Sequence, residues 1–315
     1  MTATFRLLAT TVGVLLSSLS GSIAAQDFPV TQVSDGVYVI YGPISLATPE
    51  NRGFRNNPAV VLTMAGAVVI DPGGSVVAGE IVLAKLRSIT DKPVVAIFNT
   101  HIHGDHWLGN AALKAAYPNV TIYGHEKMKV LAEGPEGKRL MKTVDQVTKG
   151  ANSKAKPVAP NKTVKDGEVI QIGDVRFRIF HADKAHTDGD IMIEAVDKDV
   201  LFTGDVVRER MVGQMSGGSF AGNIKAIDRA LATKMKVFVP GHGQAGGVEM
   251  VKTYRGYLST LYGTVEKLYA AGIADFEMKP KVVAALGPYK DWWGFDDLVG
   301  PQISQAYLEV ESRAF

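Results

Sequence analysis

The hexapeptide HIHGDH, residues 101–106, follows directly on the apolar run VVAIFNT and places three imidazoles and a carboxylate within six positions. The chain has only seven histidines in 315 residues, so this concentration demands a chemical use. Alternate side chains of an extended strand end point the same way, which lets His101 and His103 present their rings to one cation. Gly104 then allows the backbone to turn, and Asp105 and His106 swing toward a second position as a helix opens near Trp107. Whatever the fold, it must hold a strand end and a helix start rigidly at a place that further ligands can reach.

There is no cysteine, which removes thiolate nucleophiles, disulfides and sulfur ligands, so any cation is held by nitrogen and oxygen. The remaining ligands should lie at other strand ends on the same rim, and three residues do. His186 stands in DKAHTDGDI just before a strand, Asp205 closes the strand of VLFTGD, and His242 closes that of FVPGHG. Singly, each reads as a loop histidine or a turn aspartate. Together, each beside a glycine or tight turn at the end of an apolar run, they form a constellation.

The rest of the chain supplies a frame for such a rim. Short β-rich runs appear at 36–42, 57–73 and 93–100, the middle one a hairpin turning at Met64-Ala65-Gly66. Helical periodicity covers 75–90, the stretch after the histidine cluster, and two further segments up to about Lys149. The polar segment 150–167 reads as a surface excursion, because strands resume at 168–182, 190–205 and 236–242 and the candidate ligands fall on both sides of it. Helices follow at about 247–271 and 302–313, with the aromatics of YKDWWGFDDL packing a helix against the body. Strands before helices, twice over, predict two mixed sheets packed face to face with helices outside. An apolar fraction of 46% is ample for that core.

Formal net charge is +2, so a nucleic-acid partner is not expected; a small-molecule substrate is. Residues 1–25, with one arginine, an apolar stretch and small residues at Ser22, Ala24 and Ala25, read as a secretory signal peptide, an uncleaved anchor being the alternative. Residues 26–315 are then one structural unit, exported to a periplasm with no stable membrane anchor.

The ordered set THIHGDH, AHTDGD, FTGD and PGHG, with VVIDPGG at 68–74, resembles the metallo-β-lactamase superfamily across nearly all of the chain after the leader. That resemblance implies the αββα four-layer sandwich, with the site at the rim between the sheets. It implies His101, His103 and His186 as ligands of one metal, Asp105, His106 and His242 as ligands of the second, and Asp205 as the carboxylate shared by both. Neutral imidazoles and carboxylates suit Zn²⁺, and two ions about 3.5–4 Å apart can share a hydroxide nucleophile; iron or manganese are the alternatives. Asp105 could then take up and return a proton. Asp71 reads as orienting a ligand or as a turn cap.

The superfamily hydrolyses β-lactams, thioesters, lactones, phosphodiesters and alkyl sulfates, and some members are iron oxygenases, so the fold does not select a substrate. The common lactamase branches that resemble this site place Cys or Ser where Asp205 stands, whereas aspartate resembles the glyoxalase II-like thioesterases. The basic glutathione-binding cluster of glyoxalase II is not evident. GGSFAGNIKAIDRAL at 217–231 resembles a lactamase segment that holds the substrate carbonyl, which makes Asn223 an oxyanion donor or a helix cap. Lys184 either attracts an anionic substrate or is a solvated lysine. The loop 208–220 borders the pocket. The N-terminal extension, KAHTDGDIM and GSFAGNI are most similar to the exported, SoxH-like branch found with sulfur-oxidation and quinoprotein systems. The expected activity is hydrolysis of a small ester, thioester or lactam; the alternatives are a β-lactamase proper, a phosphodiesterase, an iron redox enzyme, or a non-catalytic periplasmic protein binding metal or sulfur compounds.

Overall fold

The computed structural model describes residues 27–152 and 155–314. The leader at 1–25 lies outside the described residues. Among these, the first sheet runs in sequence order through seven strands: β1 (Val30–Ser34), β2 (Val37–Ile40), β3 (Ala59–Thr63), β4 (Gly66–Ile70), β5 (Val94–Phe98), β6 (Thr121–His125) and β7 (Lys162–Val164). Neighbours from β1 to β4 are antiparallel, with β3 and β4 forming the hairpin read from the sequence, and those from β4 to β7 are parallel. The second sheet has the order β12 (Val237–Pro240), β11 (Val200–Gly204), β10 (Ile191–Ala195), β9 (Val175–His181) and β8 (Val169–Ile172). Only its β11–β12 pair is parallel.

Strand alternation decides how the layers assemble. Val68, Ile70, Ala96 and Phe98 turn one face of the first sheet onto Phe177, Ile179, Ile193 and Phe202 of the second, forming a buried inter-sheet core. The opposite face of the first sheet, with Val69, Ile97 and Ile122, packs on Val82 and Leu86 of α1 (Val76–Ile89) and Leu113 of α3 (Asn110–Ala116). The outer face of the second sheet, with Met192, Leu201 and Phe238, receives α6 (Phe220–Ala232), α7 (Val248–Ala270), α8 (Asp275–Ala285) and α9 (Phe295–Ala314). This is the expected αββα order, helix to sheet to sheet to helix. A smaller cluster around Trp107, Met128 and Met141 joins α2 (Gly104–Trp107), α4 (Glu126–Glu133) and α5 (Pro135–Val147) at one end.

Three details differ from the sequence reading. The excursion at 150–167 ends in β7, which pairs with β6 through His125 and Val164, so part of it belongs to the sheet. Helix α8 has weak apolar patterning and went unread. α2 begins at Gly104 itself rather than near Trp107, and the turn before it is made by His103 in extended conformation (φ −62°, ψ 135°). No helix among the described residues is long and apolar enough to cross a membrane.

Candidate metal centre

The topology gathers strand ends at one rim. Asp71 follows the last residue of β4, the segment 99–103 follows β5, Asp205 follows β11 and His242 lies just beyond β12. These are the carboxyl ends of the parallel strands, where α/β sheets place their sites. β10 runs antiparallel to β11, so the loop before it, carrying His186, returns to the same rim. The two sheets are stitched there by the amide of Ile191 donating to the Thr100 carbonyl at 2.9 Å. On the far side the Asn57 amide group donates to the carbonyls of Pro240 (2.9 Å) and Gly243 (2.6 Å), holding the turn that bears His242.

Seven side chains converge in two sets, His101, His103, His186 and Asp205 in one and Asp105, His106 and His242 in the other. In the first, His103 Nδ1 lies 3.2 Å from His101 Nε2 and 2.8 Å from His186 Nε2. In the second, Asp105 Oδ2 lies 3.2 Å from His242 Nε2 and 3.7 Å from His106 Nε2. Asp205 spans the two: Oδ2 is 3.5 Å from His186 Nε2, while Oδ1 is 3.3 Å from His106 Nε2 and 3.4 Å from His242 Nε2.

Hydrogen bonds behind the rings settle which nitrogens face inward as acceptors. His106 Nδ1 contacts Asp71 Oδ2 at 2.8 Å, and His242 Nδ1 contacts the Arg55 carbonyl at 2.9 Å. A carboxylate and a carbonyl only accept, so both Nδ1 atoms carry the proton and both Nε2 atoms present lone pairs. The Thr100 hydroxyl donates to Asp71 Oδ2 at 2.6 Å and so accepts from His101 Nδ1 at 2.9 Å, which leaves His101 Nε2 free in the same sense. Acceptors thus face acceptors. His106 Nε2 and Asp205 Oδ1 are buried without a hydrogen-bond partner, an arrangement that a cation satisfies and a hydrogen-bond network does not.

The electrostatics separate the two sets. Burial, reinforced by neighbouring rings and, for His186, by the Arg208 charge, holds His101 and His186 well below the usual imidazole range, and burial lowers His103 as well. Burial also opposes charge on His106 and His242, but the carboxylates of Asp205 and Asp105 overcome it and raise both. Burial disfavours the charged carboxylates too. Arg55 and His106 nevertheless keep Asp105 ionised, and His242 and His106 do the same for Asp205. A nitrogen and oxygen set of this kind, buried and anionic, fits divalent Zn²⁺, Mn²⁺ or Fe²⁺.

The centre opens into a cavity of about 500 Å³ lined by His103, Asp105, His186, Asp205 and His242 together with Arg55, Arg208, Leu140, Met211 and Trp293. The loop read as bordering the pocket does so through Arg208, Met211, Gly213 and Gln214. A larger, shallower groove of about 1000 Å³ between Lys129 and Asn161 lies apart from the seven residues.

The Asp71 side chain turns to His106 and Thr100. Asn223 is placed elsewhere: it is buried in the first turn of α6 and its amide donates to the Val206 carbonyl at 2.8 Å. It does not line the cavity, and the cap of α6 is Ser219, which accepts from the Gly222 amide. Lys184 is exposed beside a different cleft, with Lys225, Arg229 and Arg313. Of the paired tryptophans, Trp292 is buried against Tyr254 and Tyr257 as expected, but Trp293 faces the cavity. Two cations escaped the sequence reading. Arg55, whose Nη1 is 3.3 Å from Asp105 Oδ2, carries no local motif. Arg208 stands three residues past Asp205 in an Arg-Glu-Arg run that looks like solvated surface.

A model of the metallo-beta-lactamase superfamily matches residues 52–242, more than half of the chain. A linear primary-alkylsulfatase of Pseudomonas is 24% identical over 77% of this chain and 54% of its own length. A hydroxyacylglutathione hydrolase of Francisella tularensis is 27% identical over 54% of each protein. The chain therefore spans about half the length of these two relatives. Among solved structures, a metallo-beta-lactamase from Pontibacter korlensis superposes with a TM-score of 0.59 at 22% identity, covering 74% of this chain and 99% of that one, which is a likeness of fold.

Proposed function

The chain belongs to the metallo-beta-lactamase superfamily, and its relatives include hydrolases; from that premise we propose that it is a binuclear zinc hydrolase acting on a small carbonyl substrate, an ester, thioester or lactam. The observation that carries the reading is the position of Asp205, whose two oxygens address the two nitrogen sets separately. His101, His103 and His186 would hold one cation and Asp105, His106 and His242 the other. Bound there, two cations would supply Lewis acidity toward the substrate carbonyl and generate a nucleophile from water at neutral pH.

The chain's own groups do the rest. Asp71, through His106 directly and through Thr100 to His101, fixes one ring in each set in its ligating tautomer. With Asp105 Oδ2 turned toward Arg55 and His242, its Oδ1 is the oxygen that takes up the proton of attacking water and returns it to the leaving group. Leu140, Met211 and Trp293 exclude water on the cavity side. The hydroxyacylglutathione hydrolase relative supports a thioester or ester among the carbonyl substrates, and the leader-like N-terminus supports export to the periplasm in the manner of the SoxH-like branch.

Metal analysis of purified, reconstituted protein should find close to two zinc per chain. A panel of thioester, ester, lactam, alkyl sulfate and bis-nitrophenyl phosphate substrates should show hydrolysis of a carbonyl compound, lost on Asp105→Ala or His186→Ala. Full activity in metal-free protein would overturn the reading, and turnover of the phosphodiester alone would replace it with the phosphodiesterase alternative.

A further inference from the structure

Lys184, which the metal cavity leaves aside, stands at a cleft of about 310 Å³ together with Lys225 and Arg229 of α6 and Arg313 of α9. Asp183 is the one acid among the residues that line this cleft, and none of them lines the metal cavity. Lys225 and Arg229 are like charges four positions apart on one helix, a spacing that costs stability, and the other two cations add to the repulsion. Lys184 and Lys225 form no ion pair among the described residues. In a chain whose net charge is only +2, four cations facing one acid in a concave site focus a positive field on whatever enters it.

The local packing holds these charges together. Arg229 Nη1 donates to the His181 carbonyl at 2.6 Å and Nη2 to Asp166 at 2.8 Å, which fixes the guanidinium beside the cleft. Asp166 also accepts from the His181 amide at 2.9 Å, so it neutralises Arg229 only in part. Arg313 Nη2 lies 3.1 Å from Glu309 Oε1, with its guanidinium 5.6 Å from the centre of the Tyr262 ring. Glu309 has other partners at the start of α6: it accepts from the Ser219 hydroxyl at 2.7 Å and from the amides of Phe220 at 2.6 Å and Ala221 at 3.2 Å. Glycine brings Lys184 onto this helix. A β-carbon at Gly222 would collide with the Lys184 carbonyl, and the Ser219 amide donates to the Ala185 carbonyl at 2.8 Å. The stretch from Lys184 to His186 thus has one end at the cleft and the other in the metal cavity.

We propose that this cleft binds a small doubly charged oxyanion, a phosphate ester above all, at a site separate from the metal centre. Two unpaired lysines and two oriented guanidinium groups supply charge-assisted N–H donors. They come from three segments, the loop before β10, α6 and α9, so they meet an anion from several sides, which suits the tetrahedral oxygens of a phosphate better than one planar carboxylate. A second negative charge is felt by all four cations and favours a dianion over a monoanion. The volume is that of a small-molecule site. A lipid head group is a second source of the same phosphate chemistry, and the concave shape favours a soluble ligand over a membrane surface. The site stands whether or not the hydrolase reading holds.

The test titrates zinc-loaded full chain with glycerol 2-phosphate, sulfate, succinate and acetate by calorimetry. Wild type should bind the dianions, glycerol 2-phosphate most tightly, and acetate about tenfold more weakly or worse. The double exchange Lys184→Ala and Lys225→Ala should lose about tenfold or more of the dianion affinity, whereas Lys184→Arg with Lys225→Arg should retain it. Lys138→Ala with Lys142→Ala removes the same charge from the separate groove between Lys129 and Asn161 and should bind as wild type does. All four lysines are exposed, so each variant should keep the wild-type Tm in the absence of anion. An anion held at the metal centre would be bound equally by every variant, and that result would overturn the proposal. Equal losses in the cleft and groove variants, or no dianion bound by wild type, would do the same. Sedimentation of the protein with phosphatidylglycerol vesicles, abolished by the cleft exchange and unaccompanied by binding of any soluble dianion, would replace the site with a membrane contact.

Discussion

Asp71 Oδ2 accepts a hydrogen bond from His106 Nδ1 at 2.8 Å, and the same oxygen accepts one from the Thr100 hydroxyl, which itself accepts from His101 Nδ1. One buried carboxylate therefore sets the tautomer of a ring in each half of the centre. Asp71 adopts a left-handed backbone (φ 49°), which aspartate and asparagine tolerate better than most residues. Asp71→Asn should keep the turn and lose the double acceptor. We expect metal affinity to fall about 10- to 100-fold, measured by competition with a chelator; unaltered affinity would remove Asp71 from the centre's support.

Metal removal should cost stability as well as activity. Seven convergent groups, most of them buried, repel one another in part when no cation binds them. A site filled at about 1,000 times its Kd adds about 4 kcal/mol to the native state, so chelation should lower Tm by several degrees and added Zn²⁺ should restore it. A melting curve indifferent to chelator and to zinc would contradict the two-cation reading.

Gly241 makes a further prediction, a steric one. A β-carbon at this position would collide with Asp205 Oδ1 and come within 3.0 Å of His106 Cε1. Gly241→Ala should fold, since the strand before it is intact, yet displace the shared carboxylate. A misplacement of this order costs about 100-fold in rate, and circular dichroism beside a kinetic assay separates the two effects.

Asn223→Ala tests the position found for Asn223. Its amide hydrogen bond to the Val206 carbonyl is buried, so removal should cost about 1–3 kcal/mol, read from urea unfolding. KM should not change, because the side chain is away from the cavity. A raised KM at unchanged stability would return Asn223 to the oxyanion role.

His125 and His181 stack with ring centres 3.8 Å apart and planes 16° from parallel. Burial, then the His181 and Lys127 charges, lower the His125 pKa to about 4, against weaker opposition from Glu126 and Asp188. A depressed imidazole means the unfolded chain binds the proton more readily. Its contribution to stability is therefore present above about pH 6.5 and is lost as pH falls toward 4. His125 is partly exposed, so solvent screening reduces the effect to about 1 kcal/mol. Urea midpoints between pH 7.5 and 4.5 should fall less for His125→Gln than for wild type by that amount.

Much of the site is local in origin, which is why it could be read early. The alternation of His101 and His103 at a strand end, and Asp105 and His106 just after it, follow from strand and helix periodicity over six residues. His186, Asp205 and His242 were legible because each is punctuated by a glycine or tight turn where an apolar run begins or stops. The inter-sheet core was legible in the same way, from strands alternating or apolar throughout. Elements without such a signature were missed: β7 is short and polar on one face, and α8 carries a proline in its interior and little apolar stripe.

Residue identity and spacing alone singled out the seven convergent groups, the nitrogen and oxygen character of the centre and the layered class of the fold. Tertiary structure decided which oxygen of Asp205 faces which set and which ring nitrogens carry protons. It sent Asn223 and Lys184 away from the cavity and brought Arg55, Arg208 and Trp293 into it. Periodicity reports which face of an element is buried, but not which distant group a polar side chain will meet. Arg208 shows this: it looks like a surface arginine in the sequence and is buried in the fold with its Nε on the Tyr254 hydroxyl.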